Sequence, residues 1–234
     1  MTDTRIHRPI PLGLTLLIAL FSALVALAVS GGHPMHMTTA QAATIHHHQP
    51  TANRQFALRQ DMRRLWEEHV TWTRLAVISL TTKSPDTSAT VARLLKNQTD
   101  IGNAIKPYYG AAAGKQLTAL LREHILIAAD LIAAALEGDT VAVSDQQARW
   151  TANADQIASL LNRANSHFWK LAPMKAMLHD HLRLTTDEVL ARLTQNWTAD
   201  VKAYDKIHRQ ALHMADMLSA GIIGQFPNRF STSS

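Results

Sequence analysis

Three sixteen-residue segments of this chain align with one another without gaps, and this internal repeat restricts the fold more than any other feature. The segments are Met62 to Val77, Leu117 to Ile132 and Met174 to Val189. Each contains a histidine directly preceded by an acid, in the pairs Glu68-His69, Glu123-His124 and Asp180-His181. Apolar residues lie seven, four and three positions before each histidine and one, three and eight positions after it. This spacing has the period of an α-helix, so it predicts one helical unit used three times.

The helical period continues from Gln55 to Phe226 and predicts the fold class. It indicates six helices, at about residues 55–80, 87–106, 111–137, 140–164, 174–194 and 198–223. Short turn segments separate them, and we expect Pro107 to end the second helix and Pro227 the last. Short turns between long helices favour antiparallel neighbours. We therefore predict an all-α, up-and-down bundle of three antiparallel hairpins over residues 55–227, followed by a disordered C-terminus at 228–234.

Composition and missing motifs exclude several classes of function. The 234 residues include no Cys, which excludes disulfides and thiolate metal sites. The 23 Lys and Arg residues against 18 Asp and Glu form no basic block of five, so nucleic-acid binding is not indicated. The sequence contains no Gly-rich phosphate loop, no Gly-x-Ser-x-Gly and no His-Glu-x-x-His. An enzyme is therefore not the first expectation.

The N-terminal segment predicts the compartment. Arg5 and Arg8 precede an apolar run from Ile10 to Val29, which indicates either a cleaved signal peptide or an N-terminal membrane anchor in residues 1–30. Both alternatives place the remainder outside the cytoplasm, in the periplasm or at the cell surface. Residues 31–54 then form a flexible tail rich in His and Met, with histidines at positions 33, 36, 46, 47 and 48. Imidazole and thioether groups in such a tail bind copper or zinc weakly.

The three repeated histidines are predicted to point inward at one depth of the bundle. At about 100° per residue, each lies inside the apolar stripe of its helix. Counting back through each turn places His69 opposite about residues 97–100, where Gln98 faces inward. His124 is similarly opposite about Asn153, and His181 is opposite about residues 208–210. In the last helix, Asp205 and His208 are expected to share this inward face.

The chemistry of these residues leaves three functions open. The first is a site for a transition-metal ion (copper, zinc or iron) used in storage, delivery or sensing, because imidazoles with nearby carboxylates are typical ligands. Its candidate ligands are His69, His124, His181, His208, Asp205 and Glu123. The second is a purely structural polar layer in a ligand-binding or envelope protein. The third is a metal-dependent enzyme, which would need an open coordination position.

Several stretches resemble a widespread family of exported bacterial all-helical proteins. The resemblance covers about residues 58–230, and the acid-histidine pairs match at all three positions. The most specific stretches are WEEHVTWTR from Trp66, DIGNAIKPYYG from Asp100, REHI from Arg122, WTANAD from Trp150, ADML from Ala215 and QFP from Gln225. The resemblance implies an exported helical protein and brings no established activity with it. The His and Met tail lies outside the matching stretches.

Overall fold

The computed structural model describes residues 49–231, with side chains from Arg54 onward. The predicted signal or anchor (1–30) and most of the predicted tail lie outside the described residues. The helices are α1 (Gln49–Thr82), α2 (Thr87–Glu137), α3 (Thr140–Ala164), α4 (Leu171–Leu193), α5 (Trp197–Gln225) and the short α6 (Pro227–Phe230). No strand occurs in this range, and none of its helices is long and apolar enough to cross a membrane.

Helix α2 consists of two antiparallel arms, because the chain reverses at Gly110. This residue has φ 84° and ψ 167°, a left-handed backbone conformation that glycine adopts without a Cβ clash. Gly102 and Gly114 pack backbone to backbone beside the turn, and a Cβ on Gly102 would lie 2.6 Å from the Gly114 carbonyl oxygen. In a straight helix, residues twelve apart would be separated by about 18 Å. Residues 87–109 and 111–137 are therefore the second and third of six long helical arms.

The six arms form a closed ring around a shared core. Each arm packs against its neighbours in sequence, and α5 returns to pack against α1. Asp139 caps α3 by accepting from the Val141 and Ala142 amides, and Asn196 caps α5 by accepting from the Ala199 amide. The prediction of an all-α bundle of three antiparallel hairpins is confirmed.

Three predicted boundaries differ from the structure. Helix α1 begins at Gln49, so the end of the predicted tail is helical. The first arm of α2 continues through Pro107 to Gly110, so this proline costs the arm one backbone hydrogen bond without ending it. Residues 228–230 are not disordered, since Phe230 is 3% exposed and its ring stacks on Tyr108 with 6.0 Å between centroids. Burial of this aromatic ring is what orders α6.

The two halves of the core are packed differently. On one side of the three repeated histidines, large side chains leave only a small cavity of about 30 Å³ between the arms. They include Met62, Trp66, Ile101, Trp169, Met174, Met214 and Ile222, and none is more than 6% exposed. On the other side, many of the residues facing the axis are small or β-branched, including Ala76, Val77, Ala128, Ala135 and Thr185. Small side chains on all sides leave the axis of this half unfilled.

Candidate functional site

Three histidines from alternate arms meet on the axis of the bundle. His69 lies 13 residues before the end of α1, His124 lies 13 before the end of α2, and His181 lies 12 before the end of α4. Their arms run in the same direction, so the equal spacing places the rings at one depth. The His181 ring centroid is 5.9 Å from that of His69 and 6.4 Å from that of His124. These three residues, which we call the histidine layer, are 3–5% exposed.

Each ring contacts a side-chain amide on the antiparallel arm of its own hairpin. His124 Nδ1 lies 2.9 Å from Asn153 Oδ1, and His181 Nδ1 lies 3.1 Å from Gln210 Oε1. Both amides also donate to the backbone carbonyl four residues before their histidine, at 3.1 Å in each case. In both hairpins the amide follows its histidine by 29 residues. The same contact is therefore built twice from the same spacing.

The first hairpin divides these two roles between neighbouring amides. Asn97 Nδ2 donates to the Leu65 carbonyl at 3.0 Å, and Gln98 Nε2 lies 3.2 Å from His69 Nδ1. Gln98 again follows its histidine by 29 residues. Both amides are fully buried. The predicted positions opposite His69 and His124 are confirmed, and Gln210 is the residue opposite His181 within the predicted range 208–210.

The second ring nitrogen of each histidine has no partner within residues 54–231. No described side-chain or backbone group forms a hydrogen bond with Nε2 of His69, His124 or His181. Each Nδ1 contact fixes the orientation of its ring. The histidine layer therefore presents three oriented rings with an available nitrogen on each.

The histidine layer is uncharged at neutral pH. Burial lowers the pKa of His124 to about 4. Burial is also the main reason that the pKa of His69 is well below its usual value, and the proximity of His181 and His124 lowers it further. The pKa of His181 is lowered by burial as well, against the opposing effect of its hydrogen bond to Gln210. A charged imidazole here would lose its hydration without gaining a carboxylate partner.

A central cavity of about 120 Å³ extends from the histidine layer toward the interhelical turns. All three histidines line it, together with Trp150, and nearly all the other lining residues are Ala, Val, Leu, Ile or Thr. It reaches Leu80, which lies eleven residues from His69 along α1, or about 16 Å. Leu190 also lines the cavity and is 53% exposed, so the cavity opens to the surface near the end of α4. The histidine layer is its polar inner end.

Three of the predicted ligands lie outside the histidine layer. His208 Nε2 is 2.7 Å from Glu67 Oε1 at the surface, and Asp205 is exposed. Glu123 is also exposed, with one oxygen 3.4 Å from Asn153 Nδ2. The inward face of α5 is formed by Ala203, Ile207, Ala211 and Met214, about one residue away from the predicted face. The expectation that Asp205 and His208 face inward is therefore wrong, because a narrow alanine face packs closest to the axis.

The ring spacing is wider than a metal ion would impose. With metal-nitrogen distances of about 2.0–2.1 Å, two imidazole centroids on one ion lie about 5.2–5.5 Å apart. The observed separations are 5.9 and 6.4 Å. Among the residues that the structure describes, no group of three or more His, Asp or Glu side chains is already arranged to hold a metal ion. An ion at this layer would require the rings to approach by about 0.5–1 Å.

A buried charged network beside the cavity was not predicted from the sequence. Arg74 of α1 forms ion pairs with Glu188 of α4 and Asp200 of α5, and Arg192 also bonds Asp200, at 3.2 Å. Glu188 and Asp200 are 1% and 2% exposed. Burial raises the pKa of Glu188, whereas hydrogen bonds from Arg74 and Arg192 hold the pKa of Asp200 below its usual value despite burial. These four residues, the charged network, join α1 to the third hairpin.

Comparison with known proteins adds no identification. No protein-family model, no curated protein and no solved structure matches this chain. The resemblance to exported helical proteins therefore stays a prediction, and functional arguments depend on the site itself.

Proposed function

We propose that this protein binds a small, mostly apolar molecule with one polar group in the central cavity, with the histidine layer contacting that polar group. The observation that carries the proposal is the cavity itself, an apolar space that ends on three neutral imidazoles. An apolar pocket with a few convergent polar groups of perturbed pKa is the usual form of a small-molecule site.

The size of the cavity favours an occupant of one ring or a short chain. Its 120 Å³ is roughly ten times the space that one water needs, and only slightly less than the roughly 150 Å³ of an engineered apolar cavity that binds benzene. Apolar walls give water few hydrogen-bond partners, so displacing it by hydrocarbon is favourable. The opening at Leu190 supplies a route of entry.

Calorimetric titration of the full chain with phenol, which has an apolar ring and one polar group, tests this proposal. We expect saturable binding at one site, with loss of binding in Ala76→Leu, because Ala76 lines the cavity and a leucine would occupy it. Ala112→Leu is the matched control, since Ala112 is exposed and does not line the cavity. Absence of saturable binding, or equal binding by the two variants, would overturn the proposal.

A transition-metal ion (copper, zinc or iron) is the second candidate ligand. The observation that favours it is the pairing of an engaged Nδ1 with an available Nε2 on neutral rings, which is the usual arrangement of metal-binding histidines. His69, His124 and His181 would supply the ligands, with the rings drawn together by the ion. A site with three protein ligands keeps one position for a small ligand from the cavity, as an enzyme would also require.

Metal content measured by mass spectrometry tests this second candidate. The protein is the full chain with alanine at the tail histidines, which are His33, His36, His46, His47 and His48. We expect about one equivalent of metal, lost in His124→Ala and His181→Ala and retained in His208→Ala. Less than about a tenth of an equivalent after reconstitution with zinc and copper would exclude a metal role for the layer.

We also propose that the protein acts outside the cytoplasm, in the periplasm or at the cell surface. The support is the basic segment with Arg5 and Arg8 followed by the apolar run from Ile10 to Val29. Fractionation of cells that produce the full chain, with mass spectrometry of its N-terminus, tests this and separates a cleaved signal from an anchor.

A further inference from the structure

Two rings of the histidine layer carry an unpaired hydrogen-bond acceptor at the inner end of the central cavity. Asn153 and Gln210 each donate their nitrogen to a backbone carbonyl, so each presents its oxygen to its histidine. That oxygen only accepts, so the ring proton of His124 and of His181 is on Nδ1. Nε2 of each ring therefore has a lone pair, to which no group in residues 54–231 donates.

The third ring, His69, has a partner of the same kind. Asn97 donates its nitrogen to the Leu65 carbonyl, four residues before His69, which repeats the contact of the other two hairpins. Burial lowers the pKa of His69, and the hydrogen bond with Asn97 opposes this effect, as an accepting oxygen does. Gln98 has no hydrogen left for the ring, because its nitrogen donates to the Leu94 carbonyl and to Asn97 Oδ1. His69 thus donates to its amide, as the other two rings do.

The separation of His124 and His181 suits one nitrogen atom that donates to both rings. Their ring centroids are 6.4 Å apart. An NH₂ group that donates two hydrogen bonds of about 2.9–3.0 Å at a tetrahedral angle holds two ring centroids about 6.6 Å apart. A shared metal ion would hold them about 5.2–5.5 Å apart. The observed spacing is therefore closer to that of a shared NH₂ group.

Other uncharged groups leave at least one of these two acceptors unpaired. A hydrocarbon or a carbonyl group donates to neither ring, and a hydroxyl group donates to only one of them. A buried acceptor without a partner costs free energy, so ligands with such groups are disfavoured. An NH₂ group donates one hydrogen to each Nε2 atom and leaves neither unpaired.

The surroundings of the cavity favour a group that is neutral. Among the residues that the structure describes, no Asp, Glu, Lys or Arg lines the cavity. An ammonium ion would lose its hydration there without gaining a carboxylate partner, and a carboxylate would gain no cationic partner. The NH₂ groups of aromatic amines and of primary carboxamides are uncharged at neutral pH, so they avoid this cost.

We infer that the ligand of the central cavity carries a neutral NH₂ group, as an aromatic amine or a primary carboxamide does, and that this group donates to Nε2 of His124 and of His181. The hydrocarbon part of the ligand lies along the apolar walls. This inference rests on the proposed function and names the chemical class of the ligand.

Calorimetric titration of the full chain with aniline, toluene, phenol and benzylamine at neutral pH tests the inference. Aniline and toluene have nearly the same shape, and only aniline donates hydrogen bonds. We expect aniline to bind at least about tenfold more tightly than toluene, because a site built to bind an N–H rejects the analogue that lacks it. Aniline should also bind at least about fivefold more tightly than phenol, which leaves one acceptor unpaired. Benzylamine, an ammonium ion at this pH, is expected to bind more weakly than aniline.

The outcomes of this titration separate the inference from the proposed function. Saturable binding of phenol, with aniline binding no more tightly than phenol or toluene, would overturn the inference and leave the proposed function intact. Tighter binding of benzylamine than of aniline would overturn the neutral character of the group. Absence of saturable binding by all four probes would overturn both proposals.

Nitrogen NMR of the full chain labelled at histidine gives a second readout that requires no substitution. We expect His124 and His181 to be protonated at Nδ1, with aniline shifting the Nε2 signals of both rings and toluene leaving them nearly unchanged. His208 is the internal control, because its Nε2 is bonded to Glu67 at the surface and should not respond. Protonation of either buried ring at Nε2, or an aniline effect confined to exposed histidines, would overturn the inference.

Discussion

His124 Nδ1 donates a hydrogen bond to Asn153 Oδ1 across 2.9 Å, and Asn153 returns one from its nitrogen to the Leu120 carbonyl, four residues before His124. This reciprocal contact ties two antiparallel arms together at one register. The same geometry joins His181 to Gln210 in the third hairpin. A bundle with two such contacts, and the divided contact of the first hairpin, at one depth resists sliding of the arms, because a shift by one residue would unpair buried polar groups.

We predict that Asn153→Leu destabilises the protein by about 2–3 kcal/mol. The variant keeps the approximate size of the side chain but leaves the buried N–H of His124 without an acceptor. Urea denaturation measures the effect. Asn103→Leu is the control, since Asn103 is exposed on a helical arm and is expected to behave like the wild type. Wild-type stability in Asn153→Leu would mean that the contact adds nothing to the folded state.

Stability is predicted to fall as the pH is lowered from 7 to 5. The pKa of His124 is about 4 in the folded state against 6.5 for the free side chain, so the unfolded chain binds more protons between these values. The unfolding free energy therefore rises with pH in this window and is fully regained above about pH 6.5. His124 alone accounts for about 2 kcal/mol between pH 7 and pH 5, and His69 and His181 add in the same direction.

Denaturation curves at a series of pH values check this dependence. His124→Gln is expected to flatten the dependence of the unfolding free energy on pH, because the titrating group is removed. This holds whatever the substitution does to the absolute stability. His167→Gln is the control, since His167 is exposed and its replacement should leave the slope unchanged. A His124→Gln slope equal to that of the wild type would show that His124 does not titrate in the way its burial requires.

The two halves of the core are predicted to respond differently to added volume. Ala76→Leu directs extra atoms into the central cavity and should change the unfolding free energy by less than about 1 kcal/mol. Ala154→Leu adds the same atoms to the filled half, where Ala154 has no exposure, and should cost about 1–3 kcal/mol. Thermal denaturation of the two variants measures the contrast. Equal losses would indicate that the cavity is closed in solution.

Removal of Arg74 is predicted to lower the unfolding free energy by an amount that depends on pH. Arg74→Met leaves Glu188 and Asp200 buried with reduced compensation and should cost about 3–5 kcal/mol at pH 7. This loss of stability should become smaller toward pH 5. Burial already raises the pKa of Glu188, so protonation of its carboxylate at lower pH removes the unpaired buried charge. Lys96→Met, which removes an exposed pair with Asp100, is expected to match the wild type at both pH values. A constant deficit across the pH range would contradict this account.

The depth of the histidine layer was predictable because it depends only on local geometry. A helix rises by 1.5 Å per residue, so equal distances from a turn place residues of two arms at one level. This reasoning placed Gln98 and Asn153 opposite their histidines. The prediction of which face points inward was less accurate for α5, whose inward face includes Ala203 and Ala211. Alanine contributes little apolar signal, so Asp205 and His208 were assigned to the wrong face.

The sequence by itself determined the helical class, the three hairpins and the common depth of His69, His124 and His181, because periodicity and turn chemistry are local properties of the chain. The tertiary structure decided that the rings meet within 5.9 and 6.4 Å, that all three line one cavity and that Glu123, Asp205 and His208 lie at the surface. These properties depend on the rotation of each arm about its axis and on the volume left between six arms. Both are set by contacts between residues far apart in the chain, which no single helix encodes.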